Sequence, residues 1–281
     1  MPWRYSTAKV AKRLFSALMS YETINLEIDG ALATLTLNRP AAANSMNNEM
    51  SAELRDAAIR LSHNRSVRAV LLTANGRVFC GGGDLAGFAK GGPAELPVTV
   101  ESMTVDLHAA INRFSRLDAP LVAAVSGSVG GAGMSLVAAC DLVVAGESSK
   151  FTMGYTRAGL SPDGTSSFFL ARVVGLRRAL DLVLTNRLLS AKEAEEWGLV
   201  NRVVPDDEVR MHAETLARQL AAGPTRAFGL AKRLMLDGAT SSLEQAMERE
   251  SFAIAEAAGT ADAQEGIRAF LEKRSAAFSG Q

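Results

Sequence analysis

The chain has 281 residues, 48% of them hydrophobic, which is long enough for one substantial core with a small appended piece. Lys plus Arg equals Asp plus Glu at 30 each, so the formal net charge is zero and gives no reason to expect a nucleic-acid or membrane-surface partner. Cys80 and Cys140 form neither a CxxC pair nor a disulfide framework, which points to a reducing, cytoplasmic setting, and no apolar run approaches the ~18 residues that span a bilayer.

In chain order, residues 1–20 stand apart. They carry Arg4, Lys9, Lys12 and Arg13 with several Ser and Thr, and no acid precedes Glu22. They read as an N-terminal extension outside the fold, with an organelle presequence as the alternative. Ile24 to Ile28 alternates apolar and polar, Asp29-Gly30 follows, and Ala33, Leu35 and Leu37 alternate with Thr34 and Thr36, which predicts a hairpin. Met50, Leu54, Ala57, Ala58 and Leu61 recur at helical spacing and predict a helix over 47–62. Val67 to Thr73, Leu121 to Val125 and Leu142 to Ala145 are short apolar runs, read as buried parallel strands. Helical stretches separate them, one of them predicted over 105–117, so the core is expected to be α/β with right-handed crossovers. The Gly- and Pro-rich stretch from Ala86 to Val98 predicts a mobile loop. Beyond about residue 165 the pattern is helical, with helices expected over 170–185, 191–197, 207–222, 225–236, 242–258 and 261–277. His63 and His212 lie on charged helical stretches and read as surface residues, and no cluster has metal-ligand spacing.

Two glycine-rich turns each follow a predicted strand: FCGGGDL (Phe79 to Leu85) and SGSVGGAGMSL (Ser126 to Leu136). Such turns leave backbone N–H groups bare and let a ligand approach closely. Neither GxGxxG nor GxxxxGK[ST] occurs, so a nucleotide cradle is not indicated. One N–H from each turn, aimed at one oxygen, is the alternative, and that is how an oxyanion hole is built.

Six stretches in order resemble the crotonase (enoyl-CoA hydratase/isomerase) superfamily: LTLNRPAAANSM (Leu35 to Met46), FCGGGDL, Ala119 to Gly146, GLSPDGTSSFFLARVVG (Gly159 to Gly175), LLSAKEAEEWGLVNRVV (Leu188 to Val204) and EGIRAFLEKRSAAF (Glu265 to Phe278). The resemblance implies a spiral of βαβ units over 21–205 and a C-terminal helical region, 206–281, that joins subunits into a homotrimer or hexamer. It implies an acyl-CoA thioester substrate, with coenzyme A part of that substrate and no separate cofactor or metal. By position, the oxyanion donors are the N–H groups of Gly83 and Ala132; the family usually has glycine at the second. Arg77 and Lys273 fall where relatives often approach CoA. Gly81, Asp84 and Ser135 are expected beside the substrate.

The resemblance also raises the question of which acid performs the chemistry. Hydratases of the family use two glutamates, and paired carboxylates can divide acid and base roles. Ser135 and Tyr155 occupy those positions here, so two-glutamate hydration is not expected. Asp163 remains, in a Pro162-Asp163-Gly164 sequence whose aspartate is ordinarily a turn former. In isomerases of the family an aspartate at this place shuttles a proton; in the chlorobenzoyl-CoA dehalogenase it is a nucleophile. His108 falls at that dehalogenase's helical histidine and Tyr155 at its active-site tryptophan. Three readings follow: an isomerase with Asp163 as acid/base, a hydrolase or dehalogenase with Asp163 as nucleophile, and a crotonase-fold protein that binds acyl-CoA with weakened catalysis.

Overall fold

The computed structural model describes residues 21–281; the predicted N-terminal extension, with its presequence alternative, lies outside the described residues. The hairpin forms from β1 (Ile24–Asp29) and β2 (Leu32–Leu37). Asp29 pairs with Leu32, so Gly30 and Ala31 make a two-residue turn, and Gly30 supplies its positive φ of 57°. β2 then pairs in parallel with β3 (Ala69–Ala74), and β5 (Leu121–Val125), β7 (Leu142–Gly146) and β10 (Arg202–Val204) extend the sheet in parallel. Every residue of β5 is buried, as the unbroken apolar run of a strand covered on both faces requires.

A smaller sheet contains β4 (Val78–Cys80), β6 (Ser128–Gly130) and β8 (Lys150–Thr152) in parallel, with β9 (Leu189–Ser190) antiparallel to β8. The chain passes from β3 to β4, from β5 to β6 and from β7 to β8. Each turn of the spiral thus places one strand in each sheet, as the resemblance to the crotonase superfamily implies.

Helix α1 (Asn48–His63) buries the predicted stripe from Met50 to Leu61, and the Asn47 side chain caps it by accepting from the Met50 amide at 3.0 Å. The expected mobile loop from Ala86 to Val98 is instead a short helix α2 (Leu85–Phe88), a 3-10 turn (Ala89–Gly91) and the start of α3 (Leu96–Arg116). Helix α3 begins well before the predicted Val105, because Pro97 lies in the first turn, where its missing N–H has no helical partner to lose. α4 (Ala132–Ala138) follows the second glycine turn. The helix predicted over 170–185 is two, α5 (Ser166–Val174) and α6 (Leu176–Thr185), broken at Gly175 with φ 83°.

After α7 (Ala191–Glu196) and β10, helix α8 (Val209–Ala221) covers the large sheet, adding Val209, Ala213, Ala217 and Ala221 to a cluster with Leu71, Val122 and Val144. α9 (Thr225–Gly238), α10 (Leu243–Ala258) and α11 (Ala261–Leu271) complete the chain. α11 stops before the predicted Ala277, because Lys273 turns left-handed at φ 54° and the Arg274 amide donates back to the Ala269 carbonyl at 3.0 Å. Leu243, Met247, Phe252, Ile254, Ile267 and Phe270 on α10 and α11 are exposed in the isolated chain. Among the described residues no helix is long and apolar enough to cross a membrane.

Candidate active site

The small sheet brings the two glycine turns together. β4 and β6 are neighbours and run in the same direction, with Val78 opposite Ser128 and Cys80 opposite Val129. Their carboxyl ends, Gly81–Gly83 and Gly131–Ala132, therefore emerge side by side. The approach is backbone to backbone: a Cβ at Gly82, whose φ is 107°, would lie 3.3 Å from the Gly130 carbonyl oxygen, and one at Gly131 would lie 3.2 Å from the Gly82 Cα. Only glycine fits such contacts at these dihedrals.

Neighbouring amides hold the first turn in place. The Gly81 N–H donates to the Ala43 carbonyl (2.9 Å), the Met46 N–H to the Gly82 carbonyl (2.7 Å) and the Asp84 N–H to the Met46 carbonyl (2.8 Å). Gly83 is left between them, its N–H without an acceptor among the described residues. Ala132 opens α4, where the first N–H groups of a helix have no intrahelical partner. Gly83 and Ala132 both line one cavity of about 660 Å³.

Apolar side chains, including Phe88, Leu96, Val100, Met103 and Leu160, form much of the cavity wall. Asp163 and Tyr155 line it as well. Asp163 is half-buried and held at both carboxylate oxygens: the Tyr155 hydroxyl donates to Oδ1 at 2.5 Å and the Thr104 Oγ1 to Oδ2 at 2.7 Å. Its carbonyl accepts from the hydroxyls of Ser135 and Ser166, each at 2.9 Å, which fixes the turn that carries it. Ser135 Oγ also lies 3.1 Å from the Tyr155 hydroxyl. Burial, and then the adjacent Asp163 charge, push the Tyr155 phenol far above its ordinary value, so it stays protonated and remains a donor at neutral pH.

A family model described as enoyl-CoA hydratase/isomerase matches residues 27–281. The chain belongs to this family. It is 38% identical over 263 residues to the 1,2-epoxyphenylacetyl-CoA isomerase of Escherichia coli K12, with 92% of this chain and 99% of the relative covered. It is 37% identical over 227 residues to the 4-chlorobenzoyl coenzyme A dehalogenase-1 of an Arthrobacter species, covering 81% of this chain and 82% of that one. A solved enoyl-CoA hydratase from Mycobacterium smegmatis superposes with a TM-score of 0.84 at 33% identity, covering 90% of this chain and 98% of the other. The crotonase fold and an acyl-CoA-processing family are thereby established.

Of the crotonase residues read from sequence, Gly81, Gly83, Ala132, Tyr155 and Asp163 come together at the cavity. Several others lie elsewhere. Ser135 is fully buried and does not line the cavity; it braces Tyr155 and the Asp163 turn. Asp84 is not among the cavity-lining residues: its Oδ1 caps α2 by accepting from the Gly87 amide at 2.9 Å, and its Oδ2 pairs with Arg39 at 3.0 Å. His108 is exposed and does not line the cavity. The buried stripe of α3 runs through Met103, Leu107, Ile111 and Phe114, and the residue after Leu107 is rotated by about 100° toward solvent. Arg77 and Lys273 are likewise exposed and outside the cavity wall.

Sequence reasoning missed Thr104, Glu101 and Arg157, which all reach the cavity. Only the i, i+3 spacing of Glu101 and Thr104, which puts them on one helix face, was available as a signal. It gave no indication that the face meets Asp163.

Proposed function

We propose that the protein is an acyl-CoA isomerase that moves a proton between carbons of a thioester enolate, with Asp163 as acid and base. The observation that carries this reading is Asp163 itself, a carboxylate on the cavity wall with a hydroxyl donor on each oxygen. In this mechanism the Gly83 and Ala132 amides receive the thioester oxygen, where negative charge develops as the α-proton leaves. Asp163 takes that proton, the C–H pair becomes the enolate double bond, and the carboxylic acid returns a proton to a different carbon. Each ionised oxygen retains lone-pair capacity beyond the hydroxyl it accepts, so the bonds to Tyr155 and Thr104 do not block proton transfer. The substrate carries its own coenzyme A, and Arg77, exposed just before β4, is assigned to its phosphates.

The two-glutamate alternative is disfavoured because Ser135 and Tyr155 stand at the positions where the resemblance places the two glutamates, and neither is a carboxylate. The relative named as a dehalogenase favours a second reading, in which Asp163 displaces a halide ion from an aryl carbon and water then hydrolyses the resulting aryl ester. That reading needs a base for the hydrolytic step, and His108 lies outside the cavity wall.

The test is solvent exchange. A panel of enoyl-, dienoyl- and aryl-CoA thioesters is incubated in deuterated water and followed by mass spectrometry. The wild type is expected to incorporate deuterium at the α- or γ-carbon of at least one enoyl or dienoyl thioester. Asp163→Asn is expected to abolish this while CoA-thioester binding persists. Unchanged exchange in the variant contradicts the assignment.

A further inference from the structure

We infer that Thr104 is a positioning residue for Asp163, fixing the plane of its carboxylate and so the direction of the lone pair that exchanges the proton. The inference rests on the reading of Asp163 as the acid/base. An aspartate χ2 torsion is broad and roughly two-fold, so a carboxylate held at a single oxygen keeps rotational freedom. Here two points hold it. Tyr155, just ahead of the 3-10 turn at Thr156–Ala158, donates to Oδ1, and Thr104, on α3, donates to Oδ2.

The Thr104 contact is a specific use of its hydroxyl. A helical threonine often turns its Oγ1 back onto a carbonyl one turn earlier in its own helix. Thr104 instead directs it to a residue 59 positions along the chain. The same helix carries Val100 and Met103 to the cavity wall and Leu107 into the core, so the hydroxyl comes from a packed element. The segment that forms part of the acyl-group wall thus also supplies the second anchor of the base.

The consequence is directional. With both oxygens anchored, the lone pair that accepts and returns the proton keeps one direction. With Tyr155 alone, the carboxylate rotates about χ2 and is less often aligned for proton transfer. Valine matches threonine in shape and removes only the hydroxyl. Thr104→Val is therefore expected to lower kcat by about 10- to 100-fold, the range for losing one hydrogen bond to a charged group, with KM within about twofold of wild type. Thr104→Ser, which keeps the hydroxyl, is expected to restore kcat, whereas a role in packing alone would not produce that pattern.

If the valine variant does not fold, Thr104→Ala gives the same readout with a good helix former. A folded Val or Ala variant with wild-type kcat overturns the inference, as does a loss that serine fails to restore. Asp163→Asn run in parallel separates the two claims. If it retains exchange, the acid/base reading fails whatever Thr104 does. If it abolishes exchange while Thr104→Val behaves as wild type, only the positioning role fails.

Discussion

Ala132→Pro isolates one proposed oxyanion donor. Proline has no N–H, so the substitution removes the amide with which α4 opens. At most helix positions it would also remove a backbone hydrogen bond and clash with the preceding turn. Ala132 is the first residue of α4, where proline's fixed φ suits the helix and the lost N–H has no intrahelical acceptor. The preceding residue, Gly131, has no Cβ to meet the proline ring. The site is nearly closed, at 1% exposure, so added ring atoms carry an overpacking cost of about 1–3 kcal/mol. The catalytic effect is expected to be larger and of a different kind. Deleting one oxyanion donor costs about 10²–10³ in kcat, or ~2.7–4 kcal/mol of transition-state stabilisation. The assay is deuterium exchange into an enoyl-CoA thioester found to be a substrate, with circular dichroism and thermal unfolding as folding controls. We expect a folded variant whose kcat falls at least about 100-fold while KM changes much less. A folded Ala132→Pro enzyme with wild-type kcat would refute the assignment of that amide.

Asp84 gives a pH-dependent stability prediction. Burial pushes its carboxyl up, but the Gly87 amide and the Arg39 guanidinium outweigh that and hold it below its ordinary value. A depressed carboxyl stabilises the fold above its unfolded pKa of ~3.9 and loses that contribution as pH falls through the lower folded value. Asp84→Asn is therefore expected to lower stability by about 1 kcal/mol at neutral pH, with the gap to wild type closing in acid; an equal gap in Tm at pH 7 and pH 2 contradicts this. The exposed Leu243, Phe252 and Phe270 on α10 and α11 form part of an apolar surface that we expect self-association to cover. Light scattering at micromolar concentration should give a trimer or hexamer, and a monomer contradicts the expectation.

Elements with strong local periodicity were legible in the sequence. The Asp29-Gly30 turn between alternating strands, the stripe from Met50 to Leu61 and the unbroken apolar run of β5 each fixed an element through burial on one or both faces. The smaller sheet was not legible, because β4, β6 and β8 are three residues long and β9 only two, too short for any period to register. That sheet nevertheless places the two glycine turns side by side, so the sequence named the turns without showing why they converge. The cap that Asp84 places on α2 could also have been read, because Gly87, three residues on, carries an amide within reach of an N-cap. For His108, the core-facing pair Leu107 and Ile111 already implied a solvent-facing neighbour. The bond from Thr104 to Asp163 left no trace in sequence spacing, because it spans 59 positions and depends on how α3 packs over the cavity.

The central claim is that Asp163 carries protons and forms no bond to substrate carbon. A single turnover in heavy-oxygen water tests it most directly, using wild-type enzyme in excess over each thioester of the panel, including an aryl-CoA with a halide leaving group. A nucleophilic carboxylate forms an ester whose hydrolysis leaves one solvent oxygen in the aspartate side chain. A proton shuttle leaves its oxygens unchanged. Peptide mass analysis is predicted to find no heavy oxygen in the peptide that bears Asp163 after turnover of any substrate the enzyme converts. Label at Asp163 would contradict the isomerase account and establish the covalent route.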